Sequence, residues 1–154
     1  MIGLEVTRAD VTSALALGLI TELNAELTAT YPEPGATHFR LDPADVSESS
    51  GAFLVAFLAG EPVGCGAVRC LDAETAEIKR MYVRASLRGR GIARRILDEL
   101  ESQARRLGVR RLVLETGDRQ QHALALYARA GFARIAPFGE YVDSPLSVCM
   151  EKQL

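Results

Sequence analysis

The hexapeptide RGRGIA, residues 88–93, is the stretch whose reading decides the fold. It lies between an apolar, strand-like run at residues 77–83 and a long amphipathic pattern that opens near Gly91. Gly89 and Gly91 have no side chain to keep a ligand away from the backbone. A helix that begins here leaves its first N–H groups unpaired, and its dipole favours negative charge. Strand, glycine-rich turn and helix N-terminus together form an anion site of the kind that holds a pyrophosphate. Arg84, Arg88, Arg90, Arg94 and Arg95 add basic side chains around it. The stretch therefore raises the question of which phosphate-bearing molecule is bound, and for what chemistry.

Working outward, Ile92, Ile96, Leu100, Ala104 and Leu107 recur at helical spacing over residues 91–107, and Gly108 stops the run. Upstream, residues 53–58 form a compact apolar strand, 59–62 a turn, 63–71 the returning strand, 72–75 a second turn and 76–83 the next strand. Earlier still, Asp10 can cap a helix over residues 10–30, with Val11, Leu15, Leu19, Leu23 and Leu27 on one face. Pro32, Pro34 and Gly35 end it, and Asp42-Pro43 predicts a short helix to about Ser47. Downstream, residues 110–115 read as a buried strand and 120–130 as a helix closed by Gly131. Residues 132–135 and 146–151 read as two final strands. There is no internal repeat, linker or low-complexity segment. The order implies a single α/β domain spanning residues 1–154, a mixed sheet covered by helices.

Composition narrows the function classes. Eighteen Lys and Arg against twenty Asp and Glu give a net charge of −2, which argues against a nucleic-acid partner. The arginines concentrate between Arg80 and Arg111, so the field there is expected to be positive. No apolar run approaches a membrane span. The N-terminal MIGLEVTRAD lacks a secretory pattern, so a cytoplasmic location is expected. Cys65, Cys70 and Cys149 form an odd set with no CxxC spacing, as expected of reduced thiols without zinc. His38 and His122 lack partners at ligand spacing and read as surface or helix-cap groups, so no metal is expected.

Two phosphate-binding alternatives are weaker. A Walker A loop would need Gly-Lys-Ser/Thr after the glycines. A dinucleotide-binding reading has Gly89-x-Gly91 after a strand, and Glu115 about where a ribose-binding acid would sit. Against it, Arg94 occupies the third glycine position, the turn from Val83 to Gly89 is long, and no second βαβ half follows.

The chain resembles the GNAT superfamily of acyl-CoA-dependent N-acetyltransferases. The family's pyrophosphate loop, Gln/Arg-x-x-Gly-x-Gly/Ala, is met by Arg88-Gly89-Arg90-Gly91-Ile92-Ala93. The preceding EIKRMYV resembles the family's central strand. The run QHALALYARAGF, residues 121–132, resembles its second signature, keeping Ala123, Leu126, Tyr127, Gly131 and Phe132 but with Gln120 where Asn is usual. The resemblance implies a mixed, mostly antiparallel sheet of about six to seven strands flanked by about four helices. It implies acetyl-CoA as cosubstrate, held by Met81, Tyr82, Val83, Arg88, Gly89, Arg90, Gly91, Ile92, Ala93, Gln120 and Tyr127. The peptide-like arm of coenzyme A would pair with the edge of residues 81–83, as an added strand does. For that edge to be free, it must part from the strand at residues 110–115.

The same resemblance assigns catalytic roles. The Met81 N–H is the oxyanion donor. Tyr127 is the acid for the leaving thiolate, against the alternative of a core tyrosine with its hydroxyl in water. Glu77 is either the general base or a solvated strand-end carboxylate paired with Lys79 or Arg80. An extended strand would put Glu77, Lys79, Met81 and Val83 on one face. Glu115 is a second candidate carboxylate. Tyr31, Arg80, Glu140 and Tyr141 are candidates for the acceptor pocket, against the alternative of solvated loop residues. Cys149 reads as a small buried hydrophobe. The expected activity is acetyl transfer to a primary amine of a small molecule by direct attack. A protein amine as acceptor, and a non-catalytic acyl-CoA sensor, stay open, as does a homodimer.

Overall fold

The strands are β1 (Leu4–Arg8), β2 (Gly51–Leu58), β3 (Glu61–Cys70), β4 (Thr75–Val83), β5 (Arg111–Gly117), β6 (Ala133–Ile135) and β7 (Ser147–Gln153). In the computed structural model, which describes residues 2–34 and 40–154, they form one seven-stranded sheet in the order β1-β2-β3-β4-β5-β7-β6. β1 to β4 are an antiparallel meander, β4 and β5 form the one parallel pair, and β7 inserts antiparallel between β5 and β6. With a single parallel pair and no second βαβ half, the dinucleotide-binding alternative is set aside.

Three α-helices cover the sheet: α1 (Ala14–Thr30), α2 (Ile92–Arg106) and α3 (Gln121–Arg129). The fourth expected helix is only a 3₁₀ turn, Pro43–Val46, whose Asp42 and Asp45 form a capping box. β1 escaped the sequence reading because it is a short edge strand with only Leu4 and Val6 facing inward. The helix start also moves. Asp10 binds the N–H and hydroxyl of Thr12 in a turn, and Ser13 is the cap, accepting from the Ala16 N–H at 3.2 Å. Gly35 and His38 lie outside the described residues.

Each face of the sheet has its own core. α2 packs Ile92, Ile96, Leu97, Leu100 and Ala104 over Leu54, Val68, Ala76, Ile78, Leu112 and Leu114. On the other face, Ala16, Leu19 and Leu23 of α1 meet Phe53, Val55, Cys65, Ala67 and Tyr82. Burying one such leucine or isoleucine stabilises the fold by about 1.5–3 kcal/mol. Burial holds the Cys65 thiol in the neutral form, its pKa pushed up to about 12.

One irregularity shapes everything downstream. β3 pairs Cys65 with Tyr82 but Ala67 with Lys79, so Arg80 and Met81 together oppose Gly66. Arg80 takes up the bulge with φ 58°. A side chain at Gly66 would meet Ile96 and the Met81 sulfur at 2.8 Å. The bulge shifts the strand's alternation by one. Ala76 and Ile78 face α2 before it, and Val83 faces α2 after it, with Met81 packed against the same core. Glu77, Lys79, Met81 and Val83 therefore do not share one face, as a regular strand would have required.

Candidate active site

β4 and β5 pair only from Thr75 with Arg111 to Ile78 with Leu114. Beyond that point β4 keeps its partner β3 and β5 keeps β7, and the two strands part. A cleft of about 840 Å³ opens there, walled by α1, the end of β4, the glycine elbow, the end of β5, α3 and the segment before β7.

At one end lies the elbow. Gly89 and Gly91 have φ 78° and 83°, and Gly91 caps α2 in the left-handed region. No protein atom lies within 4 Å of where a Cβ on either glycine would sit. The Leu87 and Arg88 N–H groups close the preceding 3₁₀ turn, and the first intrahelical bond runs from the Arg95 N–H to the Gly91 carbonyl. Among the described residues, the N–H groups of Gly89, Arg90, Gly91, Ile92, Ala93 and Arg94 have no protein acceptor. They form a row of donors at a helix N-terminus beside the cleft.

The arginines contribute less charge than their number suggested. Arg84 is paired with Glu22 at 2.9 Å, Arg88 with Glu26 at 2.6 Å, Arg94 with Asp98 at 3.1 Å and Arg95 with Glu99 at 3.7 Å. The Arg88 guanidinium also donates to the Val83 carbonyl and stacks on the Tyr82 ring. These contacts, with the Tyr82 hydroxyl donating to Glu22, staple α1 over the β4 arm. The anion-binding character of the elbow therefore lies in its main chain.

Tyr127, on α3, lines the middle of the cleft. Its ring packs edge-on against Phe132 at 5.8 Å, and burial together with the charge of Glu115 pushes its hydroxyl above the ordinary tyrosine range. It is a protonated group at neutral pH. Gln120, which opens α3, lines the cleft and makes no capping bond with its side chain.

The other end is built from side chains. Glu77 is 1% exposed, and both of its oxygens are engaged: Oε1 accepts from Arg69 Nε at 2.9 Å, and Oε2 from the Tyr141 hydroxyl at 2.6 Å. Arg69 reaches on to Asp45 at 3.7 Å. The Tyr141 hydroxyl in turn accepts from Lys79 Nζ at 3.2 Å. Glu77 is thus neither a solvated strand-end group nor part of the cleft wall; it lies behind Tyr141 and Arg69. The structure does not place it to take a proton from a molecule in the cleft.

Glu115 does line the cleft. It sits on β5 just past the last residue paired to β4, and it accepts from the Ser147 hydroxyl. Burial raises its pKa, the Ser147 bond pulls it down, and the nearby charge of Glu77 raises it again. Lys79, Arg80 and Tyr141 line the same end, with Glu140 3.7 Å from Lys79. Tyr31 also lines the cleft, but its hydroxyl accepts from the Arg119 N–H at 2.7 Å and its ring carries the Arg119 guanidinium at 4.9 Å. It ties the end of α1 to the end of β5. Sequence reading missed Arg69 and Ser147, which come from distant strands and carry no local signal, and gave Lys79 only a pairing role. A charged pair inside an otherwise apolar strand was the one available clue to Glu77 and Lys79. Among the described residues, no three His, Cys, Asp or Glu gather as a metal site, and no helix is long and apolar enough to cross a membrane.

A mixed sheet parted beside a row of unpaired amides is an arrangement able to hold a phosphate-bearing carrier with an amide arm. Comparison with known proteins gives the particular family. Residues 17–132 match the acetyltransferase (GNAT) family. The chain is 43% identical over 138 residues, 88% of each chain, to the IAA acetyltransferase of Azospirillum brasilense. It is 33% identical to the uncharacterized N-acetyltransferase YsnE of Bacillus subtilis, over 94% of this chain and 96% of that one. A Klebsiella pneumoniae structure described as an acyl-CoA N-acyltransferase superposes with a TM-score of 0.81 at 33% identity, over 98% and 97% of the two chains. A GNAT acetyltransferase from Elizabethkingia anophelis with acetyl-CoA bound shares the fold, with a TM-score of 0.72 at 19% identity over the whole of both chains. The chain belongs to the GNAT family and is an acetyl-CoA-dependent acetyltransferase.

Proposed function

We propose that this enzyme acetylates the primary amine of a small molecule by direct attack within a ternary complex. The observation that carries the reading is the coincidence, in one cleft, of parted strands, unpaired elbow amides and a buried protonated tyrosine. The amides of residues 89–94 bind the cosubstrate's diphosphate. The free edge of β4 at residues 81–83 receives its amide-bearing arm. Gln120 borders the same arm. The thioester then lies between the strands, with the amide of Met81 donating to the carbonyl oxygen.

Glu115 serves as the general base, directly or through one water. It lines the cleft, and its raised pKa brings it closer to the amine it must deprotonate. The amine lone pair forms the new C–N bond, the C–S bond breaks, and the departing sulfur takes the Tyr127 proton. Solvent restores that proton. No covalent enzyme intermediate is needed, and no thiol is placed for one. Cys149 is 1% exposed, in the strand beside Glu115.

The test is free-thiol release from acetyl-CoA across a panel of amines and peptides. Turnover with small amines is the expected outcome. Turnover with peptides alone would make the acceptor a protein. Tight CoA binding with no thiol release would make the domain a sensor. An undiminished rate in Tyr127→Phe would remove the acid assignment.

A further inference from the structure

Taking the amine's proton leaves Glu115 with a proton to discard. An ammonium that becomes an amide loses two protons from nitrogen. The departing sulfur keeps one, and the other must reach solvent. With cosubstrate and acceptor both bound, the cleft is filled and water is excluded from it. Glu115 therefore needs an outlet that does not run through the cleft.

The start of β7 supplies one. β5 and β7 pair Glu115 with Cys149 and Gly117 with Ser147. Gly117 offers no side chain to Ser147, whose hydroxyl reaches Glu115 on the diagonal and donates to Oε2. A serine hydroxyl has one proton to give. That proton is committed to the carboxylate, so Ser144 must be the donor at the 2.7 Å contact between the Ser144 and Ser147 hydroxyls. Residues 144–147 form a turn closed by the Ser147 N–H on the Ser144 carbonyl at 3.2 Å, with Pro145 as its second residue. The Ser144 N–H is itself tied to the Tyr141 carbonyl at 3.0 Å. The turn thus holds the two hydroxyls together. Ser147 lines the cleft; Ser144 does not, and it is half-buried between exposed Asp143 and Pro145. The row of hydroxyls begins at the cleft wall and ends at the outer surface.

We infer that Ser147 and Ser144 carry the proton taken up by Glu115 from the cleft to solvent. While Glu115 is ionised, the hydrogen bonds run from Ser144 to Ser147 to Glu115. Once it is protonated, both hydroxyls turn about their Cβ–Oγ bonds and the direction reverses. Glu115 gives a proton to Ser147, Ser147 gives its own to Ser144, and Ser144 gives its own to water. Each hydroxyl gains one proton and loses one, so neither is consumed and Glu115 is ionised again. Neither serine touches the reacting atoms; both act through Glu115. The other groups that face Glu115 are Glu77 and Lys79 from β4, Glu140 and Tyr141 from the segment before β7, Tyr127 from α3 and Cys149 from β7. The inference rests on Glu115 as the base proposed above and adds the route by which it is reset.

The experiment follows thiol release at saturating substrates in Ser144→Ala, whose side chain lies outside the cleft. kcat should fall by about tenfold to a hundredfold, at most the lower end of what positioned proton transfer contributes, with KM unchanged. Imidazole, as a small diffusible buffer, should restore kcat as its concentration rises, and Ser144→Thr, which keeps the hydroxyl, should retain it. Ser147→Ala should also move the acid limb of kcat/KM upward, because Glu115 loses a bond that favours its charged form. Ser144→Ala should leave that limb in place. In wild type, kcat in mixtures of light and heavy water should bow with deuterium fraction, as it does when several protons move together. Calorimetric CoA binding reports whether each variant is folded. An unchanged kcat in folded Ser144→Ala, a loss that imidazole does not restore, or a straight deuterium plot would overturn the inference, and the last decides even if no variant folds. Loss of activity in Glu115→Gln beside any of these would leave the base in place without its relay. An undiminished rate in Glu115→Gln would remove the base, and the relay with it.

Discussion

The two ends of the cleft are built in different ways. The elbow is main chain: two glycines with positive φ, a helix N-terminus and a row of amides. Four of its surrounding arginines are paired with nearby carboxylates and are half-exposed. The acceptor end is side chain: Arg69, Glu77, Lys79, Tyr141, Glu115 and Ser147 meet from β3, β4, β5, β7 and the turn before β7. The elbow offers donors that any member of its cosubstrate class can use, because a diphosphate is the same whatever acyl group it carries. The other end is a buried polar network, and in the function proposed above it is this network that faces the acceptor amine. The contrast teaches that local backbone geometry builds the anion-binding elbow, while long-range contacts build the polar network at the opposite end.

Substitutions can break or sharpen this contrast. The largest effect is expected at the junction of the two ends. Tyr127→Phe should lower kcat by about a hundredfold or more while CoA binding persists, measured by thiol release and calorimetry. Next comes the buried network. Glu77→Gln leaves Arg69 and Lys79 without their shared anion and should destabilise the fold by about 3 kcal/mol. At this chain length that is a fall of about 6–12 °C in Tm, read by thermal unfolding. A collapse of kcat with an unshifted Tm would return Glu77 to the role of base.

Glu115 separates activity from stability. Its pKa is raised, so the folded protein holds that proton to a higher pH than the unfolded chain. Its contribution to stability is present at low pH and is lost as pH rises from the unfolded value through the folded one. The acid limb of kcat/KM should lie above the ordinary carboxylate range and should disappear in Glu115→Gln. The same variant should unfold at a higher Tm than wild type at neutral pH. A lower Tm, or an unmoved limb, would reject Glu115 as base.

Effects at the elbow should be smaller. Gly91→Ala meets no neighbouring atom but must hold φ 83°. That strain costs about 1–2 kcal/mol, seen as a lower Tm together with weaker CoA binding. Arg94→Ala removes one exposed i,i+4 pair with Asp98. It should change stability by about 0.3–0.5 kcal/mol at most, within reach of careful denaturant titration.

Legibility in the sequence follows the same division. The elbow, α2, the β2–β3 hairpin and α3 were readable because glycine, helical periodicity and turn residues act over a few positions. Ser13 displaced Asp10 as cap because two capping residues three positions apart competed for one role. The bulge at Arg80 was not readable. It depends on Gly66, fourteen positions earlier, meeting α2 across the sheet. It reversed the face of Met81 and Val83 relative to Glu77. Glu77 was read as a general base or a solvated strand-end carboxylate; its burial was not legible because its partners are remote, Tyr141 lying 64 positions away. The sequence alone determined where a diphosphate could be gripped, because amide donors at a glycine elbow depend only on local φ and ψ. Which carboxylate faces the cleft and which is sealed behind it were decided by tertiary structure, because those placements depend on strand register and on contacts between residues far apart in the chain.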